Sequence, residues 1–348
     1  MAKHSNACPF VSVVVPVRNE ARFIAELCHS IFAQDYPSDR FEVIIADGMS
    51  TDGTTEVLAR LQAEHPSLVV VENPGRIVST GLNIAVARAK GDIIIRIDGH
   101  AAIASTFIRE NVSLLTAHPE AWCVGGPIRH AATTTLGKAA AVAMSHPLGV
   151  GNARHRYPEF EGYVESAQFP AIRRWVFDRV GMFDERLVRN QDDEFNYRIL
   201  RAGGKIYISP RVRYSYFVRE RLGQLFKQYF QYGFWRIPVI EKHRRPTTLR
   251  QTAPTLFYAA CVLLGLAGWW WDEPALTMIL PVPYVTALFL AGVATAVRGN
   301  DLRVSSCVPV TIATMHAGYA LGLAYGLLMR FFRADAWDNQ GKMAAISR

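Results

Sequence analysis

GDIIIRIDGH, residues 91–100, decides how the first half of the chain folds. The apolar run 92–98 reads as a strand buried on both faces, and Asp98-Gly99-His100 as the polar turn that ends it. Strands of that kind belong to sheets covered by helices on both sides. The flanking sequence supplies the rest of such a sheet: VSVVVPV (11–17), FEVIIAD (41–47), LVVVEN (68–73) and WCVGGP (122–127) are further strands. Helical segments separate them at 20–33, from Asp52-Gly53-Thr54 to about residue 63, and at 79–90 with Ser79 as cap. Strand and helix alternating over short links predict an α/β, Rossmann-like, mostly parallel sheet with right-handed crossovers.

Ligands of open parallel sheets bind beyond the carboxyl ends of the strands. The segments there are PVRNE (16–20), DGMSTDGT (47–54), NPGR (73–76) and DGH (98–100). None is a GxGxxG or GxxxxGK[ST] loop, which argues against a dinucleotide dehydrogenase or a P-loop enzyme. In an extended segment Asp98 and His100 face the same way, an arrangement suited to a divalent cation (Mg2+ or Mn2+) carrying a diphosphate; the competing reading is a turn aspartate bonded to its own backbone. Asp47 and Asp52 can grip a base or ribose, though Asp52 serves equally well as a helix cap. Arg76, after a Pro-Gly turn, either meets phosphate or base or is a solvated loop arginine.

A second polar cluster, NQDDEFNYR (190–198), sets Asp192, Asp193 and Glu194 side by side. If 190–201 is a helix, Glu194 and Arg198 form an i, i+4 pair, while Asp192 and Asp193 sit at the positive end of the helix dipole. A capped surface helix thus explains part of the cluster without chemistry.

Beyond residue 250 the composition changes. Residues 251–271, 274–297 and 304–329 contain no Lys, Arg, Asp or Glu, and each run is long enough for a hydrocarbon core that takes about 20 residues. Pro281 and Pro283 are expected to kink the second run. Arg244, Arg245 and Arg250 precede the first run, Asp272 and Glu273 follow it, and Arg298 and Arg303 follow the second. That alternation predicts a cytosolic N-terminal part at the inner (cytoplasmic) membrane. Three spans would put the C-terminus outside, against which Arg330 and Arg333 argue. Segment 221–237 is expected to be an amphipathic helix lying in the lipid interface, with Gln224, Gln228 and Gln231 off its apolar face.

The net charge of +8 gathers beside the apolar runs, so it reads as contact with anionic membrane lipids and not with nucleic acid. The start of the chain lacks a signal-peptide pattern, and the five cysteines show no CxxC spacing and are expected as free thiols. The expected organisation is a soluble α/β domain at 1–217, an interfacial helix and basic linker at 218–250, a transmembrane region at 251–333 and a tail at 334–348.

Taken in order, VSVVVPVRNE, VIIADGMSTDGT, GDIIIRIDGH and GMFDERLVRNQDDEFNYRI resemble family 2 glycosyltransferases of the GT-A fold over about residues 10–235. The subgroup they look most like is the succinoglycan-type glucosyltransferases, which add sugars to lipid-linked exopolysaccharide units and carry C-terminal membrane segments. The resemblance implies that Pro16, Arg18, Glu20, Asp47 and Asp52 line the nucleotide pocket, and that Asp98 and His100 stand where the family has its metal-binding D-x-D. Asp192 is implied as catalytic base; Gln191 replaces the first acid of the family's Glu-Asp motif. QYGFWR (231–236) resembles, in altered order, the Q-x-x-R-W signature of processive synthases, which implies contact of Gln231, Trp235 and Arg236 with acceptor or diphosphate. Phe169 and Pro170 are expected to wall the acceptor site, and 149–163 to form a loop over it. The implied activity is inverting transfer of a hexose from a UDP-sugar, UDP-glucose first, to a polyprenyl-diphosphate-linked saccharide. A simple lipid or polyprenyl phosphate is the alternative acceptor, and a non-catalytic nucleotide-sugar-binding module is the alternative of another class.

Overall fold

The computed structural model describes residues 8–244 and 248–332. Arg245, Arg333 and the tail expected at 334–348 lie outside the described residues. The strands are β1 (Val11–Val17), β2 (Phe41–Asp47), β3 (Leu68–Glu72), β4 (Ile93–Arg96), β5 (Ala102–Ile103), β6 (Ala121–Gly126), β7 (Arg129–Ala131), β8 (Gly162–Val164), β9 (Gln168–Arg173), β10 (Lys205–Ile208) and β11 (Tyr214–Phe217). The α-helices up to the apolar region are α1 (Ile24–Phe32), α2 (Thr54–Glu64), α3 (Val78–Arg88), α4 (Phe107–Ala117), α5 (Thr135–Ala143), α6 (Pro147–Val150), α7 (Trp175–Val180), α8 (Gln191–Arg201), α9 (Leu222–Phe234) and α10 (Arg236–His243). Then come α11 (Ala253–Trp270), α12 (Pro281–Val297) and α13 (Leu302–Phe332). The chain divides into two compact units: one runs to Arg129 and resumes at Tyr157–Tyr216, the other holds His130–Arg156 and everything from Phe217 onward.

The first unit is built on a sheet of order β3-β2-β1-β4-β9-β6-β10-β8. β1 pairs in parallel with β2 and β4, so Val17 and Asp47 end level and the loops after these strands open on one edge. Alternate residues of β1 feed separate cores. Val11, Val13 and Val15 pack with Ile24, Leu27, Leu58 and Phe107. Val14 packs on the other side with Leu82, Val86, Phe195 and Ile199. β9 runs antiparallel between β4 and β6. Three expectations are corrected here. Helix α1 starts at Ile24, because the segment before it turns through a left-handed Asn19 (φ 58°). Ser79 does not cap α3; it lies in the first turn, and its Oγ donates to the Leu187 carbonyl at 3.1 Å. Phe169 does not wall an open site: it is 0% exposed, packed against Tyr214 with ring centroids 4.9 Å apart.

In the second unit three helical segments are long and apolar enough to cross a membrane: Ala253–Trp270, Pro274–Val297 and Leu302–Phe332. The middle one is broken where the prolines predict. A 3-10 turn covers Pro274–Met278, and the α-helix starts at Pro281. Segment 221–237 is helical, but Gln228 and Gln231, read as lying off its apolar face, are buried. α9 packs along α13, with Phe226, Phe230 and Phe234 against Gly318, Gly322 and Gly326. The expected loop at 149–163 contains a 3-10 turn, Arg154–Arg156, in which His155 is buried.

Burial, with the Arg156 guanidinium alongside, pushes His130 down from 6.5 to about 3. The unfolded chain therefore binds a proton that the folded chain refuses, so stability is full above the ordinary imidazole value and falls as pH drops toward the folded one. Urea unfolding at a series of pH values from 7 to 4 is expected to show declining stability, with a shallower decline in His130→Phe.

Candidate active site

The loops after β1, β2 and β3 are stitched together at the carboxyl edge of the sheet. Asn19 N–H donates to Ser50 Oγ at 2.9 Å, and Thr51 N–H returns a bond to Asn19 Oδ1 at 2.9 Å. Glu20 N–H donates to Thr54 Oγ1 at 2.9 Å and Ala21 N–H to Asp52 Oδ2 at 3.1 Å. Asp47, buried at the end of β2, accepts from Ser50 Oγ (2.6 Å) and Thr55 Oγ1 (2.8 Å). Asp52 accepts from Thr54 Oγ1 at 2.6 Å and from Thr54 N–H at 3.1 Å at the start of α2. The Thr54 hydroxyl bond and those backbone bonds hold the Asp52 carboxyl below its usual range. Arg18 Nη1 donates to the Arg76 carbonyl at 3.4 Å. Pro16 is buried within β1, where a side chain on Gly81 of α3 would meet it at 3.3 Å.

Each of these three loops contains a non-glycine residue in the left-handed region: Asn19, Met49 and Arg76, all at φ 58°. Asparagine tolerates that region, but methionine and arginine pay about 1–3 kcal/mol each, and strain of this kind gathers at ligand-binding loops. Met49 was not singled out by the sequence motifs, although it is 41% exposed on the loop between Asp47 and Asp52.

The centre of the site is Arg96. It sits in an otherwise apolar strand, 5% exposed, and its Nη2 donates to Asp98 Oδ1 at 2.9 Å. Its Nη1 stands 3.6 Å from Asp192 Oδ2. Burial opposes the charge on this guanidinium, but the two carboxylates outweigh burial and raise its pKa further. One buried cation therefore brings together Asp98, at the end of a strand, and Asp192, 94 positions later by number. The signal in the sequence was the single charge inside IIIRI. Arg96→Lys replaces a fork with a point charge that reaches one carboxylate at a time. Loss of registration between reacting groups costs about 100-fold in turnover. Arg96→Lys is expected to show that loss in steady-state transfer while the protein still folds, as judged by circular dichroism.

The three neighbouring acids do three different things. Asp192 is 40% exposed at the start of α8, after a left-handed Asn190, and lies next to Arg96. Asp193 Oδ1 accepts from Ser166 Oγ at 3.4 Å. Glu194 is 0% exposed and takes Arg198 Nε on both oxygens at 3.0 Å. Arg198 also donates to the carbonyls of Val180, Gly181 and Met182, so the i, i+4 pair clamps the GMFDERL segment. Asn83 holds the same segment from α3, through the Phe183 carbonyl and N–H at 2.9 Å each.

His100 Nδ1 lies 3.1 Å from Glu20 Oε1. A carboxylate on one ring nitrogen is how metal-binding imidazoles are oriented. Among the described residues no group of three or more His, Cys, Asp or Glu forms a self-sufficient metal site. An ion held by Asp98 and His100 would take its remaining oxygens from a bound diphosphate and water, the habit of Mg2+ in phosphate sites. The donor set fits on those terms. Gln231, Trp235 and Arg236 are all buried, and all belong to the second unit.

Three comparisons bear on this geometry. The model of the family described as glycosyl transferase family 2 matches residues 12–181. The chain is 34% identical over 266 residues to the succinoglycan biosynthesis protein ExoA of Rhizobium meliloti, covering 74% of this chain and 78% of that one. It is 28% identical over 232 residues to a dolichyl N-acetyl-glucosaminyl phosphate diacetamido-dideoxy-glucuronosyltransferase of Methanococcus voltae, with 64% and 72% covered. Its fold is similar to that of the mannosyltransferase PcManGT of Pyrobaculum calidifontis, solved with GDP-Man and Mn2+, at a TM-score of 0.60 and 21% identity over 92% of this chain and 88% of that one.

Proposed function

The chain belongs to glycosyltransferase family 2 and is a glycosyltransferase, and from that premise we propose that it transfers a hexose with inversion to a lipid-linked saccharide. The observation that carries the reading is the double engagement of Arg96, whose guanidinium lies 2.9 Å from Asp98, two residues past β4, and 3.6 Å from Asp192. UDP-glucose is the proposed donor, and Pro16, Arg18, Glu20, Asp47, Asp52 and Arg76 form the nucleotide side of the site. The proposed acceptor is a polyprenyl-diphosphate-linked saccharide of exopolysaccharide assembly. The similarity to a succinoglycan biosynthesis protein supports this, as do the helices apolar enough to enter a membrane. The proposed location is the cytosolic face of the inner membrane.

In this reading Asp192 accepts the proton of the acceptor hydroxyl as that oxygen attacks C1 of the sugar. The new C1–O bond forms on the face opposite the diphosphate, and the old C1–O bond breaks with its electron pair passing to UDP. A carboxylate suits the task because it is ionised at neutral pH and needs only hydrogen-bond reach of the hydroxyl. Arg96 holds Asp192 in place. A divalent cation, when bound by Asp98 and His100, supplies positive charge to the diphosphate.

The test is the anomeric configuration of the product. With UDP-glucose, an α-linked donor, NMR of the transferred sugar should show a β linkage. An α linkage would replace direct displacement with a retaining route, and transfer to diacylglycerol or polyprenyl phosphate alone would reassign the acceptor.

A further inference from the structure

The second unit carries an inference about how α13 meets the membrane. This helix has 31 residues, which at about 1.5 Å each extend well beyond a hydrocarbon core of about 30 Å. A helix that crosses needs an apolar surround over most of its length. Instead the half of α13 from Met315 onward is accompanied by α9 and α10, which carry charge, while the first half, too short to cross by itself, packs on the uncharged α12.

Gly318, Gly322 and Gly326 of α13 abut the backbone of Phe226, Phe230 and Phe234 on α9; a Cβ on Gly322 would collide with the Phe230 carbonyl oxygen. Both sets of numbers rise together, so the two helices run side by side in the same direction. Arg330 pairs with Glu241, which extends the contact onto α10. Near its middle Met315 packs on Gly149 of α6, and α5 also lies against α13; nearer its start Ser305 and Pro309 lie against Gly292 of α12. α12 in turn touches α6. The accompanying helices hold Lys138, Lys227, Arg236, Glu241 and Lys242. Such groups are strongly disfavoured at the centre of a bilayer. The opposite side of α13 is apolar and open: Leu302 is 75% exposed, Leu328 56% and Phe331 83%.

We propose that α13 lies along one face of the bilayer, its buried side on α5, α6, α9 and α10 and, over its first half, on α12, with its open apolar side in the lipid of a single leaflet. Both of its ends then stay on the same side as α10. The occupant of the open side is lipid because apolar exposure continues along α11 and α12, through Leu263, Trp269, Trp270 and Phe289. Tryptophans at the end of such a helix belong at the headgroup boundary.

The inference rests on membrane association of the chain, and the test separates the two. Full-length protein in sealed vesicles of one orientation is labelled with a membrane-impermeant maleimide after Cys8, Cys261 and Cys307 are replaced by serine; Cys28 and Cys123 are buried and stay. Arg303→Cys and Phe332→Cys, at the two ends of α13, are compared with Lys242→Cys on α10. The expected result is labelling of all three from the same face, within about twofold of one another. Labelling of the two ends from opposite faces makes α13 a span and overturns the proposal. In the parent chain, tags at the two termini read by antibody on intact vesicles make the same distinction: both accessible from one face, or the C-terminal tag only after detergent. Failure to float with vesicles at all overturns membrane association itself. Release by carbonate as a dimer gives the apolar side to a second copy and overturns the lipid assignment.

Discussion

Asp192→Asn is expected to abolish sugar transfer while leaving UDP binding within about twofold of the parent. Removing a general base costs about 100- to 10,000-fold, and asparagine keeps the volume and a hydrogen-bonding carbonyl while losing the ability to take a proton. The neighbouring Asp193→Asn is the internal control. Its carboxylate faces Ser166 and not Arg96, so its loss should change turnover far less. Isothermal titration with UDP and initial rates of UDP release measure the two quantities separately. Equal rates for parent and Asp192→Asn would return the residue to a helix-start role at the dipole end of α8. Loss of UDP binding along with turnover would make Asp192 part of the donor site.

Arg198→Met should cause the largest loss of stability in the first unit. Glu194 is 0% exposed, and its carboxylate is held by Arg198 through both oxygens. Removing the cation leaves a buried charge uncompensated, at about 3–5 kcal/mol. In a unit of this size that lowers the melting temperature by about 10 °C. The double change Glu194→Leu with Arg198→Met should recover much of this, since two apolar side chains often replace a buried ion pair at little cost. A single-variant loss under 1 kcal/mol, followed by urea unfolding, would mean that the pair contributes no more than a surface salt bridge. Because Arg198 also binds the carbonyls of 180–182, the loop ahead of α8 should become more susceptible to protease in the same variant.

Much of this was legible because local pattern carried it. β1 and β2 end where their apolar runs end, α8 begins at Gln191, one residue before its acidic cluster, and the apolar helices coincide closely with the uncharged runs. What stayed hidden depends on partners distant in the chain. β9 is a six-residue strand with a proline, QFPAIR, which nothing local marks as the antiparallel member between β4 and β6. Phe169 looked like a pocket wall because it is aromatic near the motifs; its left-handed φ of 47° turns it into the core. Arg96 was visible as a charge among isoleucines, but its meaning required Asp192 to be folded beside it. Likewise, residues 130–156 group with the helices after residue 217 through contacts that no periodicity records.

The most direct test of the whole account is UDP release from UDP-glucose by the detergent-purified chain, with Mg2+ or Mn2+, measured with and without a polyprenyl-diphosphate-linked saccharide. Release is expected to depend on the lipid-linked acceptor and to be absent in Asp192→Asn. UDP binding without release from any nucleotide sugar and any lipid acceptor would contradict it.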